Sequence, residues 1–377
     1  DLKGLSDQQI DKLVSGFGAI NRFLSRVNTT WNPEFMVING FRDAQTAGVN
    51  LQREDVKDLA AQTMKHYPAA LKGSMEGSFG KRDMDNEWLR YYDEFVKAGG
   101  RVYFNQMEDV EQIRNRLTKS FEDVKPGLSA RRAVGKFFQG IESVNLGVEN
   151  GVRLAAYRTA RENGWSQNEA ASLAKNLTVN FNRRGKAGPR LNAFYMFYNA
   201  TMQGNMVVIN SLRSPRVRKI LAGATAFTAS MDLMNAMMSG EDEDGELYYD
   251  KIPEYVKSRN LVVMLGQGAD DYVSVPLPYG YNVFAHMGRA ISELTRGKDP
   301  LETGGALLST IVDSFNPIGG TESIYNFFAP TIADPAVDIV RNKDFRDAPI
   351  RPENPYGPDI PASQNYYDSV GPHWRYI

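Results

Sequence analysis

The sequence predicts an all-α protein, an irregular multi-helix domain built around a central apolar helical hairpin. Apolar residues recur at helical spacing over most of its 377 residues. Hydrophobic residues make up 42% and charged residues 24% of the chain, a balance typical of a folded protein. Residues 260–276 instead form two β-rich runs around a Gly/Asp turn, which predicts one small β-hairpin.

Three regions follow from this pattern. We predict an N-terminal helical region over residues 1–127, a helical core domain over 128–346 and an extended Pro-rich tail over 347–377. The first residues have neither the basic nor the apolar segment of a signal peptide. Because the chain begins at Asp1, we expect it to be a piece of a longer protein.

The N-terminal helices are predicted from their starts and their periodicity. The first begins at Ser6 and places Ile10, Leu13, Val14 and Phe17 at helical spacing. Asn32-Pro33 predicts a second start, since proline is favoured at the first helical position. Further periodic segments lie near residues 53–66, 84–97, 108–123, 129–163 and 166–179.

The central hairpin is predicted over residues 191–239. Its first arm has no charge between Arg190 and Arg213, a length that could span a bilayer. At 100° per residue four amides of this arm form one narrow polar stripe: Asn192, Asn199, Gln203 and Asn210.

The second arm has its own start and end signals. Ser214 is a candidate cap and Pro215 a candidate first residue. Gly240 is a candidate C-terminal cap. Small residues every four positions would allow a close approach to another helix, in water or in lipid: Ala222, Ala226 and Ser230.

Three interpretations of the hairpin remain open at this point. It is the buried centre of a helical domain, or it inserts into a bilayer with its basic turn at lipid phosphates, or its amides face a wet lumen in an oligomer. The mean hydropathy of −0.43 and the charge of Asp232 argue against a permanent membrane protein.

Charge is distributed unevenly, although the net charge is only −1. From Ala170 to Met231 the chain has no acidic residue, and an acidic segment follows at 241–246. The two segments either face each other in the fold or lie at opposite solvated ends, or the basic one contacts phosphates of nucleic acid or lipid. The candidate phosphate contacts are Arg183, Arg184, Lys186, Arg190, Arg213, Arg216, Arg218 and Lys219.

The sequence predicts no catalytic residue, no metal site and no cofactor. The absence of cysteine excludes disulfides, thiolate metal sites and a cysteine nucleophile. The three histidines, His66, His286 and His373, are far apart and lack a metal-ligand partner one turn away. Phosphate-loop, nucleophile-elbow and zinc-protease motifs are not found in the sequence.

The tail is predicted to be an extended strap. Prolines recur every third residue, at Pro349, Pro352, Pro355, Pro358 and Pro361, which matches the period of a polyproline II helix. The strap either lies on the protein's own surface or binds a proline-recognising partner. The aromatic residues expected to hold it are Tyr356, Tyr366, Tyr367 and Trp374.

One family resemblance accompanies these patterns. The run "NLTVNFNRRGKAGPRLNAFYMFYNATMQG", followed by "NPIGG", "APTIADP" and "NKDFRDAPI", resembles the large polyvalent protein-associated domain 38 of very large phage proteins. Its anchors are Asn180 to Arg184, Asn199, Gly204, Asn316 to Gly320, Ala329 to Pro335 and Asn342 to Ile350. Arg346-Asp347-Ala348 departs from the usual aromatic-Gly-Arg, which affects the turn expected there.

The resemblance implies a function as well as a family. Related stretches occur in internal virion proteins of short-tailed phages, which are packaged in the capsid and ejected ahead of the genome. It therefore implies a structural virion protein, an internal core or ejection protein in the genome-delivery assembly, located in the capsid interior and delivered to the host cell envelope.

The resemblance also implies partners and leaves alternatives open. The expected partners are further copies of the chain, other virion proteins, phage DNA and, transiently, the host membrane. The alternatives are a cryptic enzyme module and a host-directed effector domain of a large phage polyvalent protein.

Overall fold

The computed structural model describes residues 16, 18, 20, 21, 23–102, 129–180, 183, 188–317, 334–343, 349–352 and 365–367. Helices dominate these residues and the predicted all-α class is confirmed. The chain divides into two compact units, Asp1–Pro317 and Ile318–Ile377. The domain boundaries predicted after residues 127 and 346 stay predictions.

The N-terminal half of the first unit is a helical bundle. Its helices are α1 (Pro33–Asn50), α2 (Leu59–Ser78), α3 (Glu87–Lys97), α4 (Ser129–Glu162) and α5 (Gln167–Asn176). A π-helical turn at Arg26–Thr30 precedes α1, and a 3-10 turn at Leu51–Arg53 begins the connection from α1 to α2. The predicted start of α1 is confirmed, because the Asn32 side chain accepts a hydrogen bond from the Phe35 N–H at 3.2 Å. The described positions between 16 and 25 are helical, whereas the segment near 108–123 lies outside the described residues.

The bundle depends on the close packing of α2 against α4. A Cβ at Gly147 of α4 would lie 2.6 Å from the Met75 Cα of α2, so only glycine fits there. Helix α2 also passes through Pro68, beyond the end predicted near residue 66. Proline costs helix stability, and burial of α2 against α4 offsets that cost.

The second half of the first unit contains the remaining helices and the β-hairpin. Its elements are α6 (Gly188–Phe194), α7 (Tyr198–Leu212), α8 (Pro215–Met238), the single turns α9 (Tyr248–Lys251) and α10 (Glu254–Lys257), β1 (Asn260–Met264), β2 (Tyr272–Pro276), α11 (Asn282–Thr295) and α12 (Pro300–Phe315). The strands are antiparallel, with Val262 opposite Ser274, as the predicted hairpin requires. None of the described helices combines the length and hydropathy needed to cross a bilayer.

The central hairpin differs from the prediction in its first arm. Residues 195–197 interrupt it, so the uncharged run forms α6 and α7 rather than one helix. Helix α8 does begin at Pro215, as predicted, but the Ser214 side chain makes no capping hydrogen bond. At the other end Ser239, not Gly240, is the C-terminal cap of α8.

The repeated small residues of α8 are not where another described helix of this chain packs. Ala222, Ala226 and Ser230 are exposed. Helix α8 instead packs against α11, where a Cβ at Gly288 would collide with the Thr225 carbonyl. The residue that permits close packing of α8 and α11 is therefore Gly288 of α11, not the repeat of small residues in α8.

A buried polar network joins α8 to the elements that follow it. Tyr249 Oη donates to Asp232 Oδ1 at 2.6 Å, and Arg296 Nη2 lies 3.2 Å from Asp232 Oδ2. Asn235 accepts from the Met264 N–H and donates to the Val262 carbonyl, both at 2.8 Å. The network therefore fixes α9, α11 and strand β1 on one side of α8.

The described part of the second unit contains α13 (Asp334–Arg341) and two short pieces of the tail. Tyr367 Oη donates to the Pro349 carbonyl at 3.2 Å, and Asn365 Nδ2 donates to the Pro352 carbonyl at 2.9 Å. These contacts fit a strap lying on its own unit. Pro355, Pro358, Pro361, Tyr356 and Trp374 lie outside the described residues.

Substitutions of two glycines in α4 test the helix packing. We expect Gly147→Ala to lower the free energy of unfolding by about 1–3 kcal/mol, because its methyl group overpacks the contact with Met75. Gly140→Ala in the same helix meets no atom within 4 Å and should raise it by about 0.5–1 kcal/mol through helix propensity. Urea denaturation measures the free energy of unfolding of each variant. Equal changes for Gly147→Ala and Gly140→Ala would contradict the close packing of α2 against α4.

Candidate functional site

The predicted polar stripe divides into buried and partly buried members. Asn192 and Asn199 are buried, and Asn192 Oδ1 accepts a hydrogen bond from the Asn199 backbone N–H at 2.9 Å across the break between α6 and α7. Gln203 and Asn210 are half-buried. At Asn192 and Asn199 the structure supports the buried interpretation, and the break explains why an amide is needed there.

The structure describes the side chains of five of the eight predicted phosphate contacts. Arg183 and the four basic residues of the turn before and at the start of α8 are exposed: Arg213, Arg216, Arg218 and Lys219. Arg184 and Lys186 lie outside the described residues, and only the backbone of Arg190 is described.

The basic turn and the acidic segment find different partners. Arg216 lies 3.2 Å from Asp55 Oδ1 and also donates to the Glu54 carbonyl. In the acidic segment Asp242 and Glu246 form ion pairs with Lys251. These pairs do not join the two segments, and the interpretation in which the segments face each other stays a prediction.

The two described histidines have structural partners. The buried His286 accepts from Arg289 through Nε2 at 2.6 Å, since an arginine can only donate. Its Nδ1–H then donates to Thr310 Oγ1 at 2.6 Å, and Thr310 donates to the Ala306 carbonyl. Burial, together with Arg289 and Lys257, lowers the pKa of His286 to about 3, so it is neutral at physiological pH.

His66 is half-buried and lies near Thr159 and Glu162. Burial lowers its pKa. His373 lies outside the described residues. Within the described part of the chain no group of three His, Cys, Asp or Glu side chains is arranged to hold a metal ion. The absence of a metal or cofactor stays a prediction.

The first unit contains a cavity that the sequence did not predict. Its volume is about 340 Å³, and its walls come from α1, α4, α7, the turn before α11, and α12. Four aromatic side chains line it: Phe35, Phe197, Tyr279 and Tyr281. Three carboxylates also line it, Asp43, Glu149 and Asp313. Apolar walls with a few converging polar groups are typical of small-molecule sites.

The Asp43 carboxyl of the cavity has a strongly shifted pKa. Burial raises its pKa to about 6, against the opposing attraction of the Arg153 guanidinium. Arg153 is fully buried and is held by hydrogen bonds to the Glu149 carbonyl, to Thr178 Oγ1 at 2.5 Å and to the Val179 carbonyl at 3.1 Å. Its Nη1 also lies 3.8 Å from the Glu149 carboxylate.

Asp313 and Arg42 are further charged residues that line the cavity. Burial raises the pKa of Asp313 on α12, and the nearby Arg259 opposes that shift. The Arg42 guanidinium lies 4.5 Å from the centre of the Tyr279 ring. Arg42 also donates to Tyr279 Oη at 3.1 Å and to the Leu277 carbonyl at 3.0 Å.

The sequence contained one signal for this cavity. Asp43 falls on the buried face of α1, one turn from Gly40 and Ala47. A carboxylate among buried positions of an amphipathic helix indicates a buried partner or a site. The remaining lining residues come from segments far apart in the chain, so no spacing connects them.

The shifted pKa of Asp43 predicts a pH-dependent stability difference. A carboxyl whose pKa is raised from 3.8 to about 6 on folding stabilises the fold below its unfolded pKa and loses that contribution as the pH rises through about 6. We expect Asp43→Asn, which cannot ionise, to gain stability relative to the unmodified protein between about pH 4 and pH 7. Urea denaturation at both pH values measures this gain, and a difference independent of pH would contradict it.

Comparison with known proteins adds one match. Residues 246–377 match the family model of the large polyvalent protein associated domain 38. The match includes the resemblance anchors from Asn316 onward, whereas Asn180 to Arg184, Asn199 and Gly204 lie before it. No curated protein and no solved structure matches the chain. Residues 246–377 are therefore similar to the large polyvalent protein associated domain 38, the family that the sequence resembles.

Proposed function

We propose that this chain is a structural protein of a phage virion, an internal core or ejection protein that forms part of the genome-delivery assembly. It has no catalytic role in this proposal. The domain 38 match supports the link to large phage proteins. The observation that carries the structural role is the amount of apolar surface exposed on α8 and α11.

The apolar surface on α8 follows the helix axis. Ile220, Phe227 and Met234 recur every seven residues and are all exposed, and Met237 and Met238 extend the surface at the C-terminal end. Side chains at this spacing lie on one face of a helix, as in helix–helix interfaces. Exposed apolar patches of this kind mark interaction sites.

Helix α11 carries a second exposed stripe. Met287, Ile291 and Leu294 lie at positions i, i+4 and i+7 of this helix. Because α8 and α11 pack against each other, the two helices present their outer faces to one neighbour or to two. We propose that these neighbours are further copies of the chain and other virion proteins.

The basic turn lies directly before the apolar face of α8. Arg213, Arg218 and Lys219 are exposed there, next to Ile220. In the proposed assembly these charges contact the phosphates of phage DNA or, transiently, of the host membrane. This placement fits a protein that is packaged in the capsid interior and delivered to the host cell envelope.

The cavity favours a second candidate function, that of an enzyme module. A carboxyl with a pKa of about 6, such as that of Asp43, is suited to general acid–base chemistry near neutral pH. A monomeric protein would favour this alternative, or that of a host-directed effector, whereas a symmetric oligomer favours the structural role. Native mass spectrometry of the purified chain distinguishes these outcomes.

A charge on the apolar face of α8 tests the assembly. We expect Phe227→Asp to lower the oligomeric state, because Phe227 is 54% exposed on the proposed interface. Phe41→Asp is the matched control, since Phe41 is 47% exposed and also lies within a helix, α1. Light scattering coupled to size exclusion measures the mass. A monomeric unmodified protein, or equal effects of the two substitutions, would remove the support for this interface.

The basic turn is tested by the salt dependence of DNA binding. If Arg213, Arg218 and Lys219 all contact phosphates, the logarithm of the association constant for duplex DNA should fall with the logarithm of the salt concentration. The expected slope is about −2.7, because each contact releases condensed counterions. Replacing Arg213, Arg218 and Lys219 by Gln should abolish most of that slope and leave the fold intact, since all three are exposed. Fluorescence anisotropy of labelled DNA, repeated across salt concentrations, measures the slope for the unmodified and the substituted protein. A slope that the substitutions leave unchanged would exclude this turn as the DNA contact.

A further inference from the structure

We propose that the cavity between α1, α7 and α12 binds a small organic cation, an ammonium or guanidinium group attached to an apolar body. This inference rests on the composition and geometry of the cavity and is independent of the proposed structural role.

The size of the cavity fits a small molecule. Its volume of about 340 Å³ lies at the lower end of the range for ligand sites, roughly 300–1,000 Å³. The four aromatic side chains provide an apolar wall, and Val207 and Val208 of α7 extend it. A ligand that fills this space therefore has an apolar part comparable to one aromatic ring.

The charges select a cation. Asp43 and Asp313 face the space from α1 and α12, and Glu149 adds a third carboxylate from α4. Arg42 is the one cationic side chain that lines the described cavity, and it is already bonded to Tyr279 and to the Leu277 carbonyl. An anionic ligand would be repelled by the three carboxylates, whereas a cation gains from each of them.

Balancing the buried Arg153 does not account for all three carboxylates. Glu149 lies 3.8 Å from the Arg153 guanidinium, and Asp43 is attracted by it. Asp313 is attracted instead by Arg259, and it lies on another helix, α12. Arg259 does not line the cavity, so Asp313 faces it as a carboxylate that a ligand with positive charge can reach.

The cavity wall already shows how it can hold such a group. The Arg42 guanidinium lies over the Tyr279 ring, 4.5 Å from its centre, and hydrogen bonds to two oxygens fix it there. Aromatic faces attract cations because the electron density above the ring is negative. An ammonium group deeper in the cavity meets the same combination of aromatic faces and oxygen acceptors.

Three probes of equal shape and different charge test this proposal. Phenethylamine, phenethyl alcohol and phenylacetate share an aromatic ring on a two-carbon chain and carry positive, neutral and negative charge. Isothermal titration calorimetry near pH 7.5 measures their binding to the full chain. We expect the amine to bind at least about tenfold more tightly than the alcohol, and phenylacetate to bind least.

Three substitutions locate the binding. Asp313→Asn should weaken amine binding about fivefold to tenfold and leave alcohol binding unchanged. Glu302→Gln removes an exposed charge from the same helix without lining the cavity and should change neither. Ala200→Phe fills the cavity from α7 and should abolish binding of both ligands, with the fold checked by thermal melting.

The outcomes separate the proposal from its alternatives. Equal affinities for the amine and the alcohol would show an apolar cavity without charge recognition and would overturn the proposal. Amine binding that survives Ala200→Phe, or that Glu302→Gln weakens as much as Asp313→Asn does, would place the site elsewhere and would also overturn it. If none of the three probes binds, the proposal is likewise overturned. None of these results depends on the oligomeric state, so the proposed structural role is tested separately.

Discussion

The buried amide of Asn50 is a central link between the N-terminal bundle and the second half of the first unit. Its Nδ2–H donates to the Leu177 carbonyl at 2.6 Å, and its Oδ1 accepts hydrogen bonds from the hydroxyl groups of Ser211 and Tyr281. Leaving such a buried polar group without its partner costs about 1–3 kcal/mol. The end of α5, helix α7 and the turn before α11 are therefore held in fixed positions relative to α1. Because α1, α7 and that turn form much of the cavity wall, Asn50 also determines the shape of the candidate site.

The buried network on α8 has a consequence for domain 38. The family match begins at residue 246, yet Tyr249 and Arg296 within the match both reach Asp232 outside it. Strand β1 likewise depends on Asn235 of α8. A buried charge that loses its partner is strongly destabilising, so the matched residues of the first unit need α8 to fold as they do here. In this chain the matched stretch is therefore smaller than the structural element that it requires.

Local signals in the sequence located the elements whose ends they determine. Asn32-Pro33 and Pro215 marked true helix starts, and the Gly/Asp turn marked the β-hairpin. Tertiary contacts decided the rest. Helix α2 continues through Pro68 because its face is buried against α4. The break at 195–197 is held by the Asn192 side chain, which accepts a hydrogen bond from the Asn199 backbone N–H. The cavity could not be predicted from spacing, because it forms only when five separate elements meet.

Helix α8 connects the stability of the first unit to its proposed assembly. Its inner face carries Asp232 and Asn235, on which α9, α11 and β1 depend, while its outer face exposes Phe227 and Met234. A helix that packs on its inner face and is apolar on its outer face is typically buried on both sides. In the proposed assembly a neighbouring copy covers that outer face and stabilises α8. The same contact then stabilises the polar network on the inner face, since the two faces belong to one helix and unfold together. Assembly would thus favour the folded form of the residues at the start of the match to domain 38.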